Sequence, residues 1–153
     1  MKLIEADPEL DYDLVATGLH LKNEHGNTIK EIRADGFKVF ESFQMFLETE
    51  DSAASMTRAF GEALKQVSYS LERSKPDLIL SGFDIAANAA VTIAGAHMNI
   101  PVAHIHGGEL TFGAIDDAFR HSITKMSHVH FTANSIYKKR VIQLDELPII
   151  AST

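Results

Sequence analysis

Apolar residues recur at steps of three and four between Asp51 and Lys75, at Met56, Phe60, Ala63, Leu64, Val67 and Leu71. Glu62, Lys65 and Arg73 fall between them, so the spacing predicts an amphipathic helix with one greasy face, stopped by Pro76. Before it, "YDLVATG" (12–18) is short, apolar and partly β-branched, which predicts a buried strand ending at Gly18. "NTIKEIRADG" sets Thr28 three residues ahead of Glu31, the spacing of a capping box, and closes on Gly36 as a short helix. "FKVFESF" (37–43) alternates as an edge strand does.

After Pro76 the pattern repeats. "DLILSG" (77–82) predicts a strand buried on both faces. Residues 84–98 are rich in alanine and predict a helix able to lie close against a sheet. "PVAHIH" (101–106) is the next strand, turned by Gly107 and Gly108. A helix over 114–126, a strand over 128–133 and a helix over 135–144 follow. Strands that alternate with helices pair in parallel, because each helix serves as the crossover. The expected fold is α/β, a Rossmann-like doubly wound parallel sheet. In such sheets ligands bind beyond the carboxyl ends of the strands. That nominates three turns: Gly18 to His20, Ser81 to Asp84, and His106 to Glu109. "MKLIEADPEL" reads as the tail of a helix whose preceding strand is absent, and "DELPIIAST" stops where another strand would begin. The expectation is therefore an incomplete N-terminal domain over residues 1–153.

Composition narrows the function classes. The 153 residues suit one domain with a core, at 45% apolar and 23% charged. Fourteen basic against 21 acidic residues leave a net charge of −7, the wrong sign for a nucleic-acid surface. The opening residues carry no apolar stretch of signal-peptide length. The longest apolar run, "AANAAVTIAGAHMNIPVA", is broken by Asn88, His97, Asn99 and Pro101, which argues against a membrane span. The absence of cysteine excludes disulfides and thiol catalysis and fits a cytoplasmic setting.

The densest chemistry lies in "HIHGGELTFGAIDDAFRH" (104–121). His104 and His106 stand two apart on a strand and so share a face, and His128 and His130 repeat the spacing. With Glu109 and His121 they offer a set for zinc, iron or manganese, against the alternatives of core histidines or direct substrate contacts. Asp116 and Asp117 open a helix, where carboxylates favour the positive end of the dipole. They lie four residues before Arg120 and His121, the spacing of helix-surface pairs. Together with Glu109 they gather acids at the expected ligand edge, where neighbouring carboxylates separate into an acid and a base. Asp84 begins the alanine-rich helix, as N-cap or as a further acid. His20 follows the first strand, either structural or in contact with substrate.

"AHIHGGELTFGAIDDAFRHSITKMSHVHFTANSIYKKRVIQL" closely resembles the hydrolysing UDP-N-acetylglucosamine 2-epimerases. "VATGLHLKNEHGNTIKEI" and "RSKPDLIL" look like the same family's first domain. The resemblance implies the N-terminal half of a glycosyltransferase-B-like two-domain enzyme with its active site between two Rossmann-like halves. It implies elimination of UDP across the C1–C2 bond to a 2-acetamidoglucal, then addition of water with inversion at C2. The product, N-acetylmannosamine, feeds sialic-acid-type sugars. By similarity Asp84, Glu109 and Asp117 match the family's acids; with Asp116 they are the catalytic candidates, and His20, His104, His106, Arg120 and His121 are the candidates for substrate contact. Which carboxylate removes the C2 proton stays open. The implied partner is a UDP-sugar, without metal or cofactor, in a homodimer at full length. Many members carry Gly-Asp-Arg, an aromatic residue and Glu where this chain has Phe83-Asp84-Ile85-Ala86-Ala87, so the arginine and glutamate roles have no bearer here. A non-hydrolysing epimerase, a non-catalytic remnant of the fold and a metal enzyme built on the two histidine pairs are the alternatives. The chain alone is expected to be inactive.

Overall fold

A computed structural model describes residues 1–83, 85–112, 115–144 and 150–152, the last three by their backbone course alone. The order is α1 (Lys2–Glu5), β1 (Leu14–Thr17), two 3-10 turns (Gly18–Leu21 and Asn23–His25), α2 (Ile29–Ala34), β2 (Val39–Phe43) and α3 (Ala53–Ser74). β3 (Ile79–Gly82), α4 (Ala86–His97), β4 (Val102–Ile105), α5 (Ile115–Met126), β5 (Val129–Thr132), α6 (Ser135–Gln143) and β6 (Ile150–Ser152) follow. Every strand pair is parallel. The strands fall into two sheets, β1-β2 and β3-β4-β5-β6, where the sequence pattern alone suggests one.

Sequential order in the second sheet, joined by right-handed crossovers, puts α4, α5 and α6 on one side of it. The strand residues facing that side, Ile79, Ser81, Val102, His104, His130 and Thr132, are all buried. The opposite side leaves Leu80 at 49% and Phe131 at 36% exposure. β3 is therefore covered on one face only, which corrects the expectation of a strand buried on both. It is the edge strand of its sheet among the described residues.

The helices form where their patterns place them. α3 starts on a reciprocal cap between Ser52 and Ser55, and ends at Lys75 in the left-handed region (φ 50°) just before Pro76. Its apolar stripe packs Ala59, Ala63, Val67 and Leu71 into a core shared with Phe43, Met45, Ile79, Ala90 and Val102. Met56, at the head of the expected stripe, is exposed instead. α4 approaches the sheet closely at Gly95, where a Cβ would meet Ile79 Cδ1 at 2.5 Å. α2 lacks the expected capping box. Thr28 is itself helical (φ −66°, ψ −4°), so its hydroxyl does not reach back to the first-turn amides. That Oγ1 instead lies 2.7 Å from His20 Nδ1. No helix among the described residues is long and apolar enough to cross a membrane.

Candidate functional site

β3 and β4 end side by side, and at both ends a bulky residue enters the left-handed region, Phe83 and His106 each at φ 68°. Such a conformation is costly for a residue with a large side chain and is found where the surroundings enforce it. Here the Phe83 amide donates to the Ile105 carbonyl at 3.3 Å and the His106 amide to that of Phe131 at 3.0 Å. The two rings stack, with centroids 5.0 Å apart and planes 17° from parallel. His106 Nδ1 donates to Glu109 Oε1 at 2.7 Å, and its side chain is 37% exposed. A carboxylate on Nδ1 holds the imidazole ring in one orientation.

Gly107 and Gly108 make the intervening turn. A Cβ on Gly108 would sit 2.3 Å from the Tyr137 carbonyl oxygen, so the chain passes against the backbone of α6 as only glycine can. Arg140 Nη1 donates to the Gly108 carbonyl at 3.3 Å and holds the turn there.

Past Glu109 the loop is tied to α5. The Thr111 amide donates to Asp117 Oδ1 at 3.1 Å. Oδ2 of the same carboxylate is 3.4 Å from His121 Nε2, and Oδ1 is 3.7 Å from Arg120 Nη1. The i,i+4 pairing expected of Asp117 and His121 is therefore present. Asp116 shares the first turn and is partly exposed. Asp84 lies outside the described residues, although Asn88 of α4 donates to the Gly82 carbonyl and so anchors the β3–α4 turn.

Two residues expected to contact substrate, His104 and Arg120, are buried. His104 is wholly buried on the helix-covered side of β4, with Nδ1 3.2 Å from Thr124 Oγ1. Burial pushes its imidazole down to about 4, and the nearby His130 and Arg120 add to this, while the Phe83 carbonyl opposes it. It is a neutral core histidine. Arg120 is 6% exposed and lies near it, with Nη1 3.7 Å from Asp117 Oδ1. The expected sharing of one face by His104 and His106 fails because β4 stops at Ile105 and φ at His106 turns the second ring outward. His128 likewise precedes β5 and is exposed, whereas His130 is buried. Among the described residues no three metal-ligating side chains converge. His20 sits in the 3-10 turn after β1 with Thr28 as its partner. Sequence reading missed the Phe83–His106 stack, for which an aromatic residue at a strand end was the one signal. It also missed the Thr111 amide, for which there was none.

A groove of about 520 Å³ opens elsewhere, lined by Lys22, Phe46 and Arg58 with Glu24, Glu48 and Glu62. Its cations are spent: Lys22 pairs with Glu24 and Arg58 with Glu48.

This is a parallel α/β domain that gathers acids and an oriented imidazole at the strand carboxyl ends, the place where such folds bind nucleotides and sugars. A family profile described as UDP-N-acetylglucosamine 2-epimerase matches residues 2–150. The chain belongs to that family. It is 41% identical over 143 residues to the GDP/UDP-N,N'-diacetylbacillosamine 2-epimerase (hydrolyzing) of Campylobacter jejuni, covering 94% of this chain and 37% of that protein. It is 36% identical over 146 residues to the UDP-N,N'-diacetylbacillosamine 2-epimerase (hydrolyzing) of Legionella pneumophila, covering 95% and 38%. The chain thus spans less than two-fifths of the length of these relatives. Its fold matches the crystal structure of UDP-GlcNAc 2-epimerase from Neisseria meningitidis bound to UDP-GlcNAc, with a TM-score of 0.81. That match has 18% identity and covers 99% of this chain and 40% of that one.

Proposed function

We propose that this chain forms the acid-bearing part of a hydrolysing 2-epimerase acting on a UDP-linked 2-acetamido sugar. The observation that carries the reading is the double tether of one loop. Glu109 is held by His106 at its start, and Asp117 is held by the Thr111 amide at its end. Removing a C2 proton while UDP departs requires a base, an acid or electrostatic aid on the opposite side, and a group that delivers water. Glu109, oriented by His106, suits proton removal. Asp117, Asp116 and, by the family resemblance, Asp84 are the acids for the remaining roles. Elimination gives a 2-acetamidoglucal and UDP; water then adds with a new C2 configuration. Catalysis of this kind uses neither metal nor cofactor, and the complete enzyme works as a cytoplasmic homodimer.

In a chain extended to the length of its relatives, Glu109→Gln and Asp117→Asn are each expected to lower kcat a hundredfold or more, about the scale of lost acid–base catalysis. Continuous assay of UDP release reads this, and near-wild-type rates would withdraw the residue from the mechanism. NMR of the products separates the free epimerised sugar expected here from the UDP-linked epimer that a non-hydrolysing enzyme returns. The names of the Campylobacter and Legionella relatives favour a second substrate beside UDP-N-acetylglucosamine, namely UDP-N,N'-diacetylbacillosamine.

A further inference from the structure

The Phe83 ring stacks on His106, the residue that orients Glu109, yet 59% of its surface stays open to solvent at the rim. Ile85, two residues on, is 54% exposed. The backbone at Phe83 takes φ 68°, where glycine is the unstrained choice, so the ring is held out at a conformational cost. A hydroxyl-rich hexose gains little from such a wall, because its hydroxyls would lose water without finding partners. A hexose with a methyl in place of a hydroxyl and an acetamido methyl at another position gains apolar contact with the ring face and has fewer hydroxyls to desolvate there.

We infer that Phe83, seconded by Ile85, is a specificity-determining residue that reads apolar substituents on the sugar, favouring a deoxy, doubly N-acylated hexose over a fully hydroxylated one. This rests on the reading of the rim as a UDP-sugar site. Phe83 touches the sugar and takes no part in proton transfer. A wall of this size discriminates by about tenfold to two-hundredfold, the range for one or two apolar groups in a pocket.

The test is saturation-transfer NMR on a chain extended to the length of its relatives and slowed by Glu109→Gln, with two probes, UDP-N,N'-diacetylbacillosamine and UDP-N-acetylglucosamine, each titrated to a dissociation constant. The first is expected to bind at least tenfold more tightly, with strongest saturation on its C6 and acetamido methyl groups. Phe83→Gly places the residue suited to that backbone and so preserves folding, and it should bring the two affinities within about twofold. Ile85→Ala should narrow the gap in part. An unchanged preference in Phe83→Gly would overturn the inference and leave the ring as a contact for another part of the protein. An equal loss for both probes would also overturn it, by showing that the ring only steadies His106 and Glu109. Binding of neither probe by the extended chain with Phe83 in place would remove the site itself, and the proposed function with it, whereas tight binding of both without preference would overturn this inference alone.

Discussion

His104 shows how a residue of catalytic type becomes part of the core. Its side chain is wholly buried and its imidazole is held neutral by burial down to about 4. An unfolded chain binds a proton there near 6.5, so folding excludes that proton in the interval between. The contribution is complete above about pH 6.5, falls as the pH drops toward about 4, and levels off below it. It amounts to something on the order of 3 kcal/mol. Urea unfolding across this interval should show the decline, and His104→Gln should flatten it; an unaltered slope would place the proton uptake elsewhere. The sequence made both histidines of "HIH" look equivalent because strand periodicity was carried one residue too far. Nothing in the residue types announces that the strand ends at Ile105. By contrast, Glu109, Asp117 and His121 were legible, since their spacing along a turn and a helix survives folding unchanged.

Among the elements, helices were the most readable, because a stripe of apolar residues specifies both the period and the buried side. α3 and α6 lie within two residues of their expected spans. The short segments were harder. The 3-10 turns at Gly18–Leu21 and Asn23–His25 carry no periodic signal, and the hydroxyl of Thr28 is drawn to His20 instead of the helix it precedes. Close approaches are set at this scale too. Gly108→Ala would drive a methyl into the Tyr137 carbonyl at a positive φ (80°) and should destabilise the fold by about 3 kcal/mol. Gly61→Ala, in an open stretch of α3, should stabilise by about 0.5–1 kcal/mol. Paired thermal melts read both, and equal shifts would mean that the α6 contact is not the constraint on the turn.

For the whole molecule, alternation of strands and helices was enough to specify parallel pairing, but not the division into two sheets. That division depends on which strands lie adjacent, and adjacency leaves no local trace in a sequence. The 153-residue chain by itself is expected to release no measurable UDP from UDP-N-acetylglucosamine, because one wall of a cleft neither positions the sugar nor excludes water. Measurable turnover by the short chain would refute this. The described contacts that hold Glu109 and Asp117 come from His106, Thr111, Arg120 and His121, all within one stretch after β4. The loop after β4 and the head of α5 thus hold these two carboxylates through local contacts. Recombination that exchanged the first fifty or so residues for a cousin's would leave every one of these contacts within a single inherited piece.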